Sequence, residues 1–158
     1  MGEFIGKSVK RREDARFLKG MGKYTDDIKL PKMTHSAFVR SPYAHAKIEN
    51  VDISEAQKAD GVVAIFTGKD ACGEYGVPCG WQVDFKNGET MREPKHPLLA
   101  KDKIRHLGEA VAIVIAETLE QARDAAELVE VDYEELPAVT DPKKAMEEGA
   151  PLGHDDWD

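Results

Sequence analysis

Cysteine is scarce in this chain: Cys72 and Cys79 are the whole complement, with six residues between them in a glycine-rich stretch. That spacing is neither a CxxC redox pair nor a usual zinc knuckle, so two free thiols are expected. Long apolar runs are missing too. Nothing approaches the roughly 20 residues that cross a bilayer, and the N-terminus has no hydrophobic signal region, which predicts a cytoplasmic chain with no transmembrane segment. A basic surplus is also absent. The formal net charge is -8 and the pI is near 5.2, which argues against a nucleic-acid binder, because neutralising phosphates needs a basic surface.

Catalytic motifs are equally sparse. His35, His45, His96, His106 and His154 show no HxH, HExxH or paired Cys/His spacing, and they read as solvated or hydrogen-bonded histidines rather than metal ligands. None of Ser8, Ser36, Ser41 and Ser54 lies in a GxSxG elbow, and Ser54 is placed to cap a helix. Gly20 and Gly22 lack the third glycine, the preceding strand and the following helix start of a nucleotide loop. Asp26-Asp27 and Asp155-Asp156 offer paired carboxylates. Neighbouring side chains in an extended chain point to opposite faces, so these read as turn and tail acids. Lys32 beside Met33 has some likeness to the exposed lysine of biotin or lipoyl carriers, but Pro31 and Thr34 do not supply the carrier hairpin. No catalytic, cofactor-binding or metal-ligating residue is predicted in this chain.

What is present is a strong local pattern between Gly108 and Val139. Ala110 to Ala116 is a continuous apolar run rich in Val and Ile, suited to a strand buried on both faces. Thr118 and Gln121 then form a capping box that opens a helix. Ala122, Ala125, Ala126 and Val129 recur at helical spacing, so the buried stripe is mostly methyl groups and the helix can lie close to a sheet. From Val129 to Leu136 the period changes to two. Val129, Val131 and Tyr133 fall on one side and Glu130, Asp132 and Glu134 on the other, as in a strand with one wet face.

The remainder suits a single domain of ordinary size, able to bury a core without disulfides or metal. Residues 1–23 carry seven basic residues against three acids, a balance of +4, and read as a charged arm that is extended or partly helical. Residues 117–158 carry three basic residues against fourteen acids, a balance of -11, and read as an acidic helix-and-strand surface. Thr34 to Arg40 and Lys47 to Ile53 read as strands, and Val62 to Phe66 as a further buried strand. Ser54 with Gln57 repeats the capping-box signal and predicts a short helix ended by Gly61. Asp141-Pro142 and Gly149 delimit a last short helix. Between Gly68 and Pro97 the regular signal stops, broken by Gly73, Gly76, Pro78, Gly80, Gly88 and Pro94. So long a loop is usually functional or disordered, and Tyr75, Trp81 and Phe85 argue that part of it packs against something.

Five stretches carry a resemblance to a known family: IGKSVKRREDARFLKGMGKYTDDI at Ile5 to Ile28, SAFVRSPYAHAKI at Ser36 to Ile48, DGVVAIFTGKD at Asp60 to Asp70, HPLLAKDKIRHLGEAVAIVIAET at His96 to Thr118, and AAELVEVDYEELPAV at Ala125 to Val139. Taken together the chain resembles the N-terminal domain of the large, molybdenum-binding subunit of the xanthine dehydrogenase and aldehyde oxidase family, within it most of all the bacterial carbon monoxide dehydrogenase type. The resemblance implies an α+β fold, the α/β hammerhead, with a mixed sheet and two main helices packed on it. It divides the chain into a basic arm at 1–23, one hammerhead domain at 24–150, and a tail at 151–158 leading to downstream molybdopterin-binding domains. The family pattern commonly reads GEPVA where this chain has Gly108-Glu109-Ala110-Val111-Ala112. Alanine keeps the amide that proline would remove, so the strand is expected to start a residue earlier.

The family's chemistry is hydroxylation at a molybdenum-bound oxygen, with electrons leaving through iron–sulfur clusters to FAD. Its pterin-contacting glutamine motif and catalytic glutamate lie in later parts of the large subunit. The resemblance therefore implies a structural role for this chain, with molybdenum-molybdopterin in the rest of the subunit and [2Fe–2S] and FAD in partner chains or domains. A cluster takes four cysteines and two are present. The loop corresponding to 71–93 lies towards the substrate passage in this family, which nominates Trp81, Gln82 and Phe85 as passage residues. The alternative is an autonomous binding or assembly module with the same fold and no redox chemistry.

Overall fold

The computed structural model describes residues 4–71, 76–94 and 96–155. Cys72, Tyr75 and Asp156, named above, lie outside the described residues. The chain divides into two compact units, Met1–Met33 and Thr34–Asp158.

The first unit is built on local contacts. Helix α1 (Asp14–Leu18) is held at its start by Asp14, whose carboxylate accepts the Arg11 amide at 3.2 Å and pairs with the Arg11 guanidinium at 3.3 Å. A 3-10 turn follows at Thr25–Asp27, where the Asp27 carboxylate accepts the Tyr24 amide at 2.9 Å. Asp27 is therefore a capping acid, bonding local backbone as turn aspartates do. The rings of Phe17 and Tyr24 stack at 5.9 Å, and a Cβ on Gly22 would stand 2.9 Å from Phe17 Cδ1. The second glycine of the Gly-x-Gly thus makes room for a ring, not for a phosphate.

The second unit carries strands β1 (His35–Arg40), β2 (Ala46–Asp52), β3 (Val62–Thr67), β4 (Lys103–Ile104), β5 (Ala110–Ala116) and β6 (Glu130–Glu135), with helix α2 (Leu119–Glu127) between the last two. They form two three-stranded sheets, β1-β5-β3 and β4-β2-β6, in which every neighbouring pair is antiparallel. The α+β hammerhead class holds, while the single mixed sheet is corrected to two antiparallel ones. Both edges of β5 are occupied, by β1 and β3, so β6 cannot pair with β5 itself. It pairs instead with β2, where Lys47 Nζ meets Glu134 Oε2 at 2.6 Å.

Helix α2 packs on β1 and β5 with Ala122 and Ala125 fully buried. Its capping box forms as the sequence predicts: Thr118 Oγ1 accepts the Gln121 amide at 3.2 Å, and Gln121 Oε1 accepts the Thr118 amide at 3.1 Å. Beneath the helix, Ala56, Ile65, Ala112, Val114, Ala125 and Val129 make one core. Ala46, Ala100, Ile104 and Val111 make a second, and Val51 and Val131 pack against both.

Three expectations are corrected. Ser54 caps nothing: its amide donates to Asp52 Oδ1 at 2.8 Å, the Gln57 amide donates to the Ile53 carbonyl, and only a single 3-10 turn forms at Ala56–Lys58. Asp52 competes from two residues upstream, and Gly61 at φ 76 starts the approach to β3 before a helix can elongate. The segment from Asp141 is likewise one 3-10 turn, Lys144–Met146, with Asp141 Oδ1 accepting the Lys143 amide. Finally β3 is an edge strand and not a fully buried one, since Ile65 and Thr67 are buried while Val63 and Phe66 stay exposed. Of the two helices expected on the sheet, α2 is the one in this unit.

Candidate functional site

Phe85 falls on a small hairpin within the stretch expected to be irregular, and Trp81 and Gln82 immediately precede it. Gly88 takes φ 85 and its amide donates to the Phe85 carbonyl at 2.9 Å, a tight turn closed by a left-handed glycine. The Phe85 amide donates to Glu89 and the Met91 amide to Val83, at 2.7 and 2.9 Å, so 83–85 pairs with 89–91. Asn87 supports the turn, its Oδ1 accepting the Glu89 amide at 3.1 Å. At the base of the loop the Val77 amide donates to the His96 carbonyl at 2.7 Å. The Asn87-Gly88 dipeptide is the signal that identifies this hairpin in sequence.

Alternation along the extended chain separates the three nominated residues. Trp81, Val83 and Phe85 share one face, and Trp81 is 77% exposed and Phe85 55%. Gln82 and Asp84 share the other, where both side chains are hydrogen-bonded. Gln82 Nε2 donates to Glu93 Oε2 at 2.8 Å, Thr90 Oγ1 donates to Asp84 Oδ1 at 2.8 Å, and Glu93 Oε1 accepts the Cys79 amide at 2.8 Å. The Cys79 amide first, and Gln82 second, hold the Glu93 carboxyl below its ordinary pKa. Glu93 was not nominated from sequence, and it ties the two ends of the hairpin together. Gln82 is thus a brace behind the hairpin, while Trp81 and Phe85 present bare ring surface. Met91 and Glu89, opposite Val83 and Phe85 in the pairing, share that face. The Glu89 carboxylate, its one acid, accepts from Asn87 Nδ2 at 2.8 Å, and the face is suited to enclosing or docking rather than to bond making.

The histidines settle individually. His45 is buried with Nδ1 2.8 Å from the Pro137 carbonyl, an oxygen that only accepts, so the Nδ1 proton is fixed there. His96 and His106 stack at 5.8 Å, and His106 Nδ1 lies 3.6 Å from Glu109 Oε2. Glu109 is itself buried and accepts the Arg105 amide at 2.6 Å, closing the turn that delivers β5. Asp155 is no loose tail acid: Lys103 pairs with it and lowers its pKa. Among the described residues no group of three or more His, Cys, Asp or Glu is arranged to hold a metal ion, and no helix is long and apolar enough to cross a membrane.

Residues 19–137 match the family described as "Aldehyde oxidase and xanthine dehydrogenase, a/b hammerhead domain". The chain belongs to this family. It is 42% identical over 147 residues to the nicotine 6-hydroxylase large subunit of Paenarthrobacter nicotinovorans, covering 92% of this chain and 17% of that protein. It is 41% identical over 152 residues to the carbon monoxide dehydrogenase large chain of Afipia carboxidovorans, covering 96% and 18%. Among solved structures, quinoline 2-oxidoreductase from Pseudomonas putida 86 superposes with a TM-score of 0.78 at 44% identity, covering 90% of this chain and 18% of that one. The hammerhead chain thus spans less than a fifth of these relatives.

Proposed function

We propose that this hammerhead chain is the N-terminal, structural domain of the large subunit of a molybdenum hydroxylase, non-catalytic by itself, working in the cytoplasm. The observation that carries the reading is the family match over 19–137 together with a length under one fifth of the large subunits it resembles. The cofactors such an enzyme uses do not fit this chain's own residues. An iron–sulfur cluster takes four thiolates and the sequence has two cysteines, and His45, His96 and His106 are engaged by a backbone carbonyl, a ring stack and a turn. Molybdenum-molybdopterin is assigned to the rest of the large subunit, and [2Fe–2S] and FAD to partner chains or domains.

Within that enzyme, the apolar face of the hairpin walls the substrate passage through Trp81 and Phe85, with Gln82 holding the hairpin's shape through Glu93. A substrate passage excludes water and discriminates by shape, and aromatic faces supply both. Trp81→Ala in the whole enzyme is expected to raise KM or shift the preference among heterocyclic, aldehyde and carbon monoxide substrates while leaving kcat within a few fold. Unchanged KM and preference would remove the hairpin from the passage.

The reading as a whole is tested by the size of the native polypeptide carrying this sequence and the molybdenum that co-purifies with it. A product several times longer with bound molybdenum supports it, as does a short chain that co-purifies with molybdenum and larger subunits. A short chain without either defeats it in favour of an autonomous binding module.

A further inference from the structure

The sequence of β5 asks for more burial than the chain supplies. AVAIVIA has no polar residue on either face, the pattern of a strand covered on both sides. On one side Ala112, Val114 and Ala116 are buried in the sheet that α2 covers. On the other, Val111 turns into the second core, but Ile113 and Ile115 beyond it are only half-buried. The flanking strands extend the same bare surface. Phe38 and Phe66 both stand opposite Ile113 in register, 47% and 43% exposed, and Ala64 and Ser36 stand opposite Ile115. Antiparallel sheets with one wet face carry polar residues there; this one carries two phenylalanines and two isoleucines side by side. Arg40 lies over the Phe38 ring at 5.3 Å, a cation at the rim of an otherwise uncharged patch.

We infer that this face of the β1-β5-β3 sheet is the seat of a missing layer, and that the layer is an apolar surface of the remaining four-fifths of the large subunit. The inference rests on the proposed function for the identity of that layer. The occupant follows from the length the large-subunit relatives carry outside the matched region, since this chain covers 17% and 18% of two of them. It follows also from the composition of the face. A transient partner is met by a mixed surface with a polar rim, whereas a patch of adjacent Phe and Ile with one Arg at its margin resembles a domain core cut in half, as permanent interfaces do.

The test is hydroxyl-radical footprinting of Phe38 and Phe66, comparing the 158-residue chain alone with the native particle purified from source cells, whose mass and molybdenum content are measured on the same sample. Both rings should label readily in the chain alone and at least tenfold more slowly in a native particle several times its mass. Equal labelling in such a molybdenum-containing particle overturns the docking face while leaving the proposed function intact. Protection in a particle of only two copies, without molybdenum, overturns both, and assigns the face to a second copy of this chain. Protection already present in the chain alone also overturns the inference, because the first unit would then be the cover. A native particle no larger than the single chain, with both rings labelled, overturns it too.

Discussion

Gly76 has no side chain because there is nowhere to put one. A Cβ built there would run into the backbone carbonyl of His96, the same oxygen that accepts the Val77 amide at the base of the hairpin loop. Backbone cannot yield as a flexible side chain can, so Gly76→Ala is expected to break the Val77–His96 bridge. Amide exchange at Val77 should accelerate. The melting temperature should move by less than about 4 °C, roughly what 1 kcal/mol does in a chain of this size, because the bridge lies outside both cores. Asp70 carries the second prediction at this scale. Its carboxylate accepts both the amide and the hydroxyl of Thr67 at 2.8 Å, and these bonds, the amide first, hold its pKa below the ordinary value. A carboxyl depressed in the folded state stabilises above its unfolded pKa, and the stabilisation is lost as pH falls through the folded one. Asp70→Asn should therefore lower stability at neutral pH and flatten the decline below about pH 4, the ordinary carboxylate range. Denaturant midpoints across pH 2–7 read both effects; an unchanged acid limb would show that other carboxylates carry it.

At the scale of elements, the capping box of α2 is joined to a turn more than fifty residues away. Gly61 sits at φ 76 under the Gln121 side chain, its carbonyl accepts the Glu117 amide at 2.9 Å, and an added Cβ would overlap the Gln121 carboxamide. Thr118→Ala should cost about 1 kcal/mol, the usual worth of an N-cap. Gly61→Ala should cost both the left-handed strain and the displaced Gln121. The pair Gly61→Ala with Gln121→Ala should then be less destabilising than the sum of the single changes, by roughly 0.5 kcal/mol or more in a double-mutant cycle. Additivity would mean that Gln121 escapes the new methyl without losing its bond to Thr118. The cap itself is legible in sequence because Thr118 and Gln121 are three apart and the residue two upstream of Thr118 is Ala116, which has no side-chain acceptor. At Ser54 the same spacing misleads, since Asp52 takes the amide first. The hairpin at 83–91 is hidden by the density of Gly and Pro around it, though Asn87-Gly88 marks its turn. Within the site, Trp81 and Phe85 are picked out in sequence as aromatics that pack against something, whereas in this chain both rings are exposed. The opposite facing of Gln82, and the role of Glu93 eleven residues on, need the pairing register before they can be seen.

Across the whole second unit, the strand–helix–strand pattern from Ala110 to Glu135 reveals three elements but not that β5 and β6 belong to different sheets. That depends on β1 and β3 claiming both edges of β5, pairings 70–81 and 45–54 residues distant in the chain, which no local periodicity records. The consequence is a unit with two cores, one under α2 and one around Ile104, joined where Val51 and Val131 pack against both. Whether such a unit melts as one or two bodies depends on that junction. Ile104 is fully buried in the second core, so Ile104→Ala should cost about 2–5 kcal/mol through lost contacts and a residual cavity. If Val51 and Val131 couple the cores, the slowest-exchanging amides of β5 in the first sheet should lose as much protection as those of β2 in the second, with one cooperative transition by every probe. Loss confined to β2, β4 and β6 would mean that the second sheet opens by itself. The further substitution Val51→Ala should then leave the β5 amides unaffected if the junction is weak, and lower their protection along with those of β2 if it binds the two sheets into one folding body.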